Sequence, residues 1–162
     1  MSKCIIVVGN TGTGKTTFVK QFLRGNSQKK FIYDINNEYR GEFIFRTKDN
    51  IKDFIKEVKV QENSTILFEE ATIFFRHHNT GEEVINLLVR KRHTKNVIVF
   101  NFHALHQVPI ILFDFCNYLV LKKTNDFEEN IRKYIKNPVI FEAYKKVKNS
   151  ENNFEQEIIK LN

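Results

Sequence analysis

Residues 9–16, Gly9-Asn10-Thr11-Gly12-Thr13-Gly14-Lys15-Thr16, satisfy the pattern G-x-x-x-x-G-K-[ST]. Immediately before them stands Cys4-Ile5-Ile6-Val7-Val8, an unbroken, mostly β-branched run of the kind buried on both faces of a parallel sheet. Immediately after, Lys15 to Leu23 places Val19, Phe22 and Leu23 on one helical face before Gly25 ends the helix. A buried strand, a glycine turn and a helix in that order build an anion cradle. The turn aims backbone N–H groups inward, and the helix N-terminus adds fixed positive potential. Gly9, Asn10, Thr11, Gly12, Thr13 and Gly14 are then the cradle, and Lys15 reaches β and γ phosphates. Thr16 offers a hydroxyl to Mg²⁺, and Thr17 contacts the α phosphate. The ligand expected is ATP with Mg²⁺. A plain connecting turn would not need strand, spacing, lysine and helix to agree.

Further along the chain the same alternation continues. Lys30 to Tyr33 reads as a second strand closing on Asp34, and the polar stretch Ile35 to Gly41 leads to an edge strand at Phe43 to Phe45. Ile51, Phe54, Ile55 and Val58 mark an amphipathic helix capped by Asp49 or Thr47. Thr65 to Phe68 is the next buried strand, and Val84, Ile85, Leu88 and Val89 mark a helix after Thr80-Gly81. Val97 to Phe102 is a fourth strand, Pro109 opens a short helix to Phe115, and Tyr118 to Leu121 is a fifth strand. Helices near Phe127 to Ile135 and after Asn137-Pro138 complete the C-terminal part, helical over about 127–148, and residues 149–162 read as a weakly held tail. This is an α/β domain with a mainly parallel sheet, a single unit over 1–162.

Composition sets the outer bounds. With 162 residues, 41% of them hydrophobic, the chain can build one core without staples. Cys4 and Cys116 are too few for a secreted disulfide scaffold and argue for a reducing, intracellular setting. No apolar run approaches the roughly 20 residues of a membrane span, and the first residues are too short for a secretory signal. Asn63-Ser64-Thr65 matches a glycosylation sequon by chance, and His77-His78 lacks a third metal ligand and reads as loop. Lys and Arg number 26 against 19 Asp and Glu, a net charge of +7 that favours polyanionic partners.

Hydrolysis needs more than a phosphate cradle: one group must hold hydrated Mg²⁺ and another must activate water. Glu69 and Glu70 close the apolar strand Thr65-Ile66-Leu67-Phe68 and fill these posts, Glu69 toward the metal and Glu70 toward the water. They resemble a Walker B segment in which Glu stands for the usual first Asp. After the next strand, Asn101 is the first candidate for a polar sensor of the γ phosphate. His103 lies on the same face by period-two alternation, and His106 and Gln107 are weaker candidates in the loop beyond.

With these residues in place the chain resembles the FtsK/HerA group of P-loop ATPases, and within it the small genome-packaging ATPases of tailless, membrane-containing viruses. Phe31-Ile32-Tyr33-Asp34-Ile35-Asn36-Asn37-Glu38-Tyr39 is similar to that group's second-strand pattern. Arg90-Lys91-Arg92-His93, the strand Val97 to Phe102 and Val108-Pro109 are similar to its arrangement around the fourth strand. The resemblance covers residues 4–121. It implies a P-loop NTPase three-layer α/β/α sandwich with core strand order 5-1-4-3-2, a homo-oligomeric ring and ATP-driven movement of double-stranded DNA. It also implies a cytoplasmic site of action, in host cytoplasm or with the virion. In such rings an arginine from one subunit meets the neighbour's γ phosphate, and Arg90 and Arg92 are the candidates; the same cluster also suits a helix C-terminus or DNA phosphates. Two rivals stand beside this: a small-molecule kinase using Asp34 for its acceptor, and an assembly switch without turnover. A regulatory GTPase lacks its D-x-x-G and N-K-x-D signatures here.

Overall fold

The structure is a computed structural model and describes residues 2–40, 45–47, 50–76 and 78–162. Its centre is a seven-stranded sheet in the order β3-β2-β4-β5-β1-β6-β7. The strands are β1 (Lys3–Val8), β2 (Lys29–Tyr33), β3 (Phe45–Thr47), β4 (Ser64–Phe68), β5 (Val97–Phe102), β6 (Tyr118–Lys122) and β7 (Gln156–Lys160). All neighbours pair in parallel except β6 and β7. The five expected core strands therefore stand in the expected order, 5-1-4-3-2, with one further strand at each edge. The edge strand beside β2 is described at Phe45–Thr47; Phe43 and Ile44 lie outside the described residues.

Side chains alternate between two cores, as the pleat requires. Cys4, Ile6 and Val8 of β1 join the larger cluster, which α2 (Ile51–Lys59), α3 (Thr72–Phe75), α4 (His78–Thr94), α5 (Ile110–Phe115), α6 (Glu128–Tyr134) and α7 (Pro138–Asn149) cover. Ile5 and Val7 face the smaller cluster with Val19 and Leu23 of α1 (Lys15–Arg24) and with Tyr39. The result is three layers. Under the end of β4, Tyr33, Phe54, Phe68 and Phe74 meet edge to face or tilted at centroid separations of 4.8–6.2 Å, and Phe68 stacks on Phe100 at 4.9 Å. Each such pair adds about 0.5–1.5 kcal/mol beyond burial, so this cluster fixes where Glu69 and Glu70 leave the strand.

Several local expectations are corrected. The cap of α2 is Asn50, whose carboxamide accepts from the N–H groups of Lys52 and Asp53; a short amide side chain does this as well as Thr47 or Asp49. The fourth helix starts at His78, so Thr80 and Gly81 lie inside it and His78 is not a loop residue. Asn137 caps α7 with Pro138 in its first turn, as expected. The supposed tail instead carries β7, held by an antiparallel ladder from Tyr118↔Lys160 to Lys122↔Gln156. Main-chain pairing to an open sheet edge does not require an apolar pattern, and only Ile159 of this strand is buried. Cys4 and Cys116, 112 residues apart, are joined by a disulfide where β1 passes the turn into β6. Among the described residues no helix is long and apolar enough to cross a membrane.

Candidate functional site

Parallel strands bring their C-terminal ends to one edge, where β1, β2, β4 and β5 each deliver a loop. The loop after β1 is the glycine turn. Gly12 (φ 82°) and Gly14 (φ 79°) occupy left-handed backbone that side chains resist. At Gly9 the demand is space, since a Cβ would fall 2.7 Å from Thr13 Oγ1 and 2.8 Å from Lys122 Cβ. Thr13 is buried and braces the turn, its hydroxyl donating to the Asn10 carbonyl at 2.7 Å. Gly14 offers no side chain to cap α1, and the first turn holds no acidic residue, so its N–H groups remain available to an anion.

Around this turn lies a cavity of about 400 Å³. Asn10, Thr11, Gly12, Gly14, Lys15, Thr16 and Thr17 line it, whereas Gly9 and Thr13 sit behind it as supports. Opposite them stand Asn36 and Glu38 from the loop after β2, Glu69 and Glu70 from β4, and His103 from β5, with Phe154 at the side. Lys15 is 7% exposed and reaches His103 Nδ1 at 3.4 Å. Burial pushes its ammonium down from the ordinary value, opposed by the charges of Glu69, Glu70 and Glu38.

The two acids are held differently. Glu69 is 3% exposed, and its Oε2 accepts from the Tyr39 hydroxyl at 2.8 Å and from Asn101 Nδ2 at 2.5 Å. Burial raises its carboxyl to about 7, against the pull of those two hydrogen bonds and with help from the charges of Glu38 and Glu70. Burial also pushes the Tyr39 phenol up, so it remains a donor. Glu70 takes a left-handed backbone (φ 54°), a conformation that costs a non-glycine residue and gathers at functional sites. Its Oε1 meets His103 Nε2 at 2.5 Å and accepts from Asn36 Nδ2 at 3.3 Å. The Thr16 hydroxyl donates to Glu38 Oε2 at 2.7 Å. Thr16, Glu38 and Glu69 all face the cavity with oxygen atoms, although among the described residues no group of three or more His, Cys, Asp or Glu is placed to hold a metal ion by itself. That fits Mg²⁺, which takes one or two protein oxygens and fills its shell from phosphates and water.

Other expected residues lie elsewhere. Asn101 does not line the cavity: it is 1% exposed, and Tyr39 and Glu69 cover it, which makes it a positioning residue for Glu69. His103, beyond the end of β5, takes the cavity-facing place instead. His106 turns away to the buried carboxylate of Asp126, at 2.5 Å, and Gln107 to Thr72 at 3.5 Å. Asp34 is buried and receives the N–H groups of Glu38 and Tyr39 at 2.8 and 2.9 Å, so it shapes the loop and offers nothing to a kinase acceptor. Arg90 and Arg92 are exposed on the last turns of α4, at the opposite end of the sheet from the glycine turn, and neither enters the cavity of its own chain. Glu38 and Tyr39 lie in the quoted second-strand pattern, which does not by itself mark them as site residues, and nothing in the polar sequence around Phe154 points to the cavity.

A glycine turn on an open helix N-terminus, with a buried lysine facing two strand-end acids, defines a P-loop nucleotide-binding protein. The family can also be stated: the chain belongs to the ATPase family associated with various cellular activities (AAA), whose model matches residues 5–113. The fold is that of the genome packaging NTPase B204 from Sulfolobus turreted icosahedral virus 2, solved with ATP-gammaS, at a TM-score of 0.78 and 16% identity over 99% of this chain and 93% of that one. EssC (ATPases 2 and 3) from Geobacillus thermodenitrificans matches at 0.69 and 13% identity over 99% of this chain and 38% of that one. The N-terminal domain of zonular occludens toxin from Neisseria meningitidis matches at 0.62 and 14% identity over 100% and 95%. These likenesses are of fold, and they agree with the expected P-loop ATPase similar to viral packaging ATPases. No curated protein is significantly similar in sequence.

Proposed function

We propose that the chain is a Mg²⁺-dependent ATP-hydrolysing motor that moves double-stranded DNA, as a packaging or other translocation ATPase, in a homo-oligomeric ring. The observation that carries this is the convergence of Lys15, Thr16, Glu69 and Glu70 on one cavity. The glycine turn and α1 hold the phosphates, and Lys15 neutralises the β and γ groups. Mg²⁺, held by Thr16 and Glu69, would offset charge developing on the transferred phosphoryl group. Glu70 takes a proton from water as the water oxygen bonds to the γ phosphorus and the bond to the β–γ bridging oxygen breaks. His103 and Asn36 aim the Glu70 carboxylate, and Tyr39 and Asn101 aim that of Glu69. Adjacent acids beside the lysine suit water activation, and with Asp34 consumed by its own loop the kinase alternative loses its acceptor group.

The polymer and the ring are supported by the net charge of +7, by the viral packaging NTPase fold and by the position of Arg90 and Arg92, which requires any phosphate they meet to be a neighbour's or DNA's. Action in host cytoplasm or with the virion belongs to the same proposal. The test is ATPase rate per chain against protein concentration, with and without duplex DNA. A rise with both is expected; a concentration-independent rate that ignores DNA refutes the motor, and absence of turnover under all conditions leaves an assembly switch.

A further inference from the structure

The phosphate cavity has an aromatic wall that phosphates do not need. Phe154 is 66% exposed yet lines the cavity, with its Cδ1 3.3 Å from the place a Cβ on Gly14 would occupy. Its neighbours Glu151, Asn152, Asn153 and Glu155 are all polar, so nothing local calls for a phenyl ring, and leaving one in water is unfavourable. The turn that presents it is built. Ser150 Oγ accepts from Asn152 N at 3.1 Å, Asn152 Oδ1 from Phe154 N at 2.9 Å, and the Asn152 carbonyl from Glu155 N at 3.1 Å, before β7 pins the segment to β6 at Lys122↔Gln156.

Direction follows from the sheet. Glu69 and Glu70 leave β4, on one side of β1, whereas Phe154 hangs from the β6–β7 side. A triphosphate whose γ group lies near the acids points its nucleoside toward Phe154. A second group marks the same spot. Lys122 is 4% exposed, its Nζ is 3.8 Å from the Gly14 Cβ position, and among the described residues it has no side-chain hydrogen bond or ion pair. Burial pushes its ammonium down with no carboxylate opposing. A partnerless cation beside a helix N-terminus favours an electron-rich ligand there.

We propose that Phe154 is the stacking platform for the nucleobase. This rests on the reading that the glycine turn binds a nucleoside triphosphate. Stacking uses the π face, which every base has, so the platform holds the base without reading its hydrogen-bonding edge. The chain has no tryptophan, so Phe154→Trp supplies a single indole reporter. Titration with Mg²⁺ and ATP should quench its fluorescence, and Mg²⁺ with tripolyphosphate should not. Phe154→Ala should weaken ATP binding about 5- to 150-fold and leave tripolyphosphate affinity unchanged. Equal loss of both ligands, no loss of either, or an indole silent to ATP would overturn the platform while leaving phosphate binding intact. Failure of the unmodified protein to bind either ligand would overturn the nucleotide reading, and this inference with it.

Discussion

Glu69→Gln should make the ligand-free protein more stable above neutral pH while weakening the Mg²⁺ binding proposed for Glu69. Burial lifts the Glu69 carboxyl from 4.5 to about 7. At about 1.4 kcal/mol per pH unit, ionising it at its folded position costs about 3 kcal/mol more than in the unfolded chain. The sign is fixed by proton counting: between pH 4.5 and about 7 the folded state binds more protons than the unfolded one, so stability falls as pH rises through this window. The contribution is whole below 4.5 and gone above 7. Gln keeps an oxygen to accept from Tyr39 and Asn101 and carries no charge. Urea melts without nucleotide or Mg²⁺ should coincide for variant and parent near pH 4.5 and separate by about 3 kcal/mol in favour of the variant at pH 8, about 6–12 °C in Tm for a chain of this size. A difference that does not change with pH, or a variant less stable at pH 8, would refute the buried-acid argument. A desolvated carboxylate held by two donors gains most when a cation arrives, which is the role proposed for Glu69.

Three further outcomes are expected. Lys15→Ala should weaken binding of an ATP analogue with Mg²⁺ by about 30-fold or more, since it strips the charge from the phosphate cradle, and calorimetric titration reads it directly. Glu70→Gln should bind the analogue with parental affinity and lose about 10²- to 10⁴-fold in turnover; wild-type turnover would remove Glu70 as the base. Tyr39→Phe deletes one of the two hydrogen bonds that hold the Glu69 carboxyl down, so the pH midpoint of Mg²⁺-nucleotide binding should move upward, with a stability loss of about 1.5–3 kcal/mol at pH 8 in the same urea assay.

What the sequence discloses here depends on how local the determining physics is. The glycine turn, the helix after it and the buried strands rest on residues adjacent in the chain, and their placement follows from pattern alone. The surroundings of Asn101 are set less locally. Period-two alternation correctly puts it on the α1 face of β5, but that face is already occupied there by Tyr39, which the buried Asp34 carboxylate folds over the sheet. Only His103, past the last strand residue, clears that cover and reaches Lys15. The misjudged C-terminus has the same origin. Gln156-Glu157-Ile158-Ile159-Lys160 carries one buried side chain, and its place is set by backbone groups of β6 that no side-chain pattern records. Because the Phe154 turn hangs from that strand, an aromatic read locally as part of a polar tail becomes a wall of the cavity. The phosphate end of the site is thus written in contiguous sequence, and the opposite wall only in the pairing of two strands whose neighbourhood the chain reaches last.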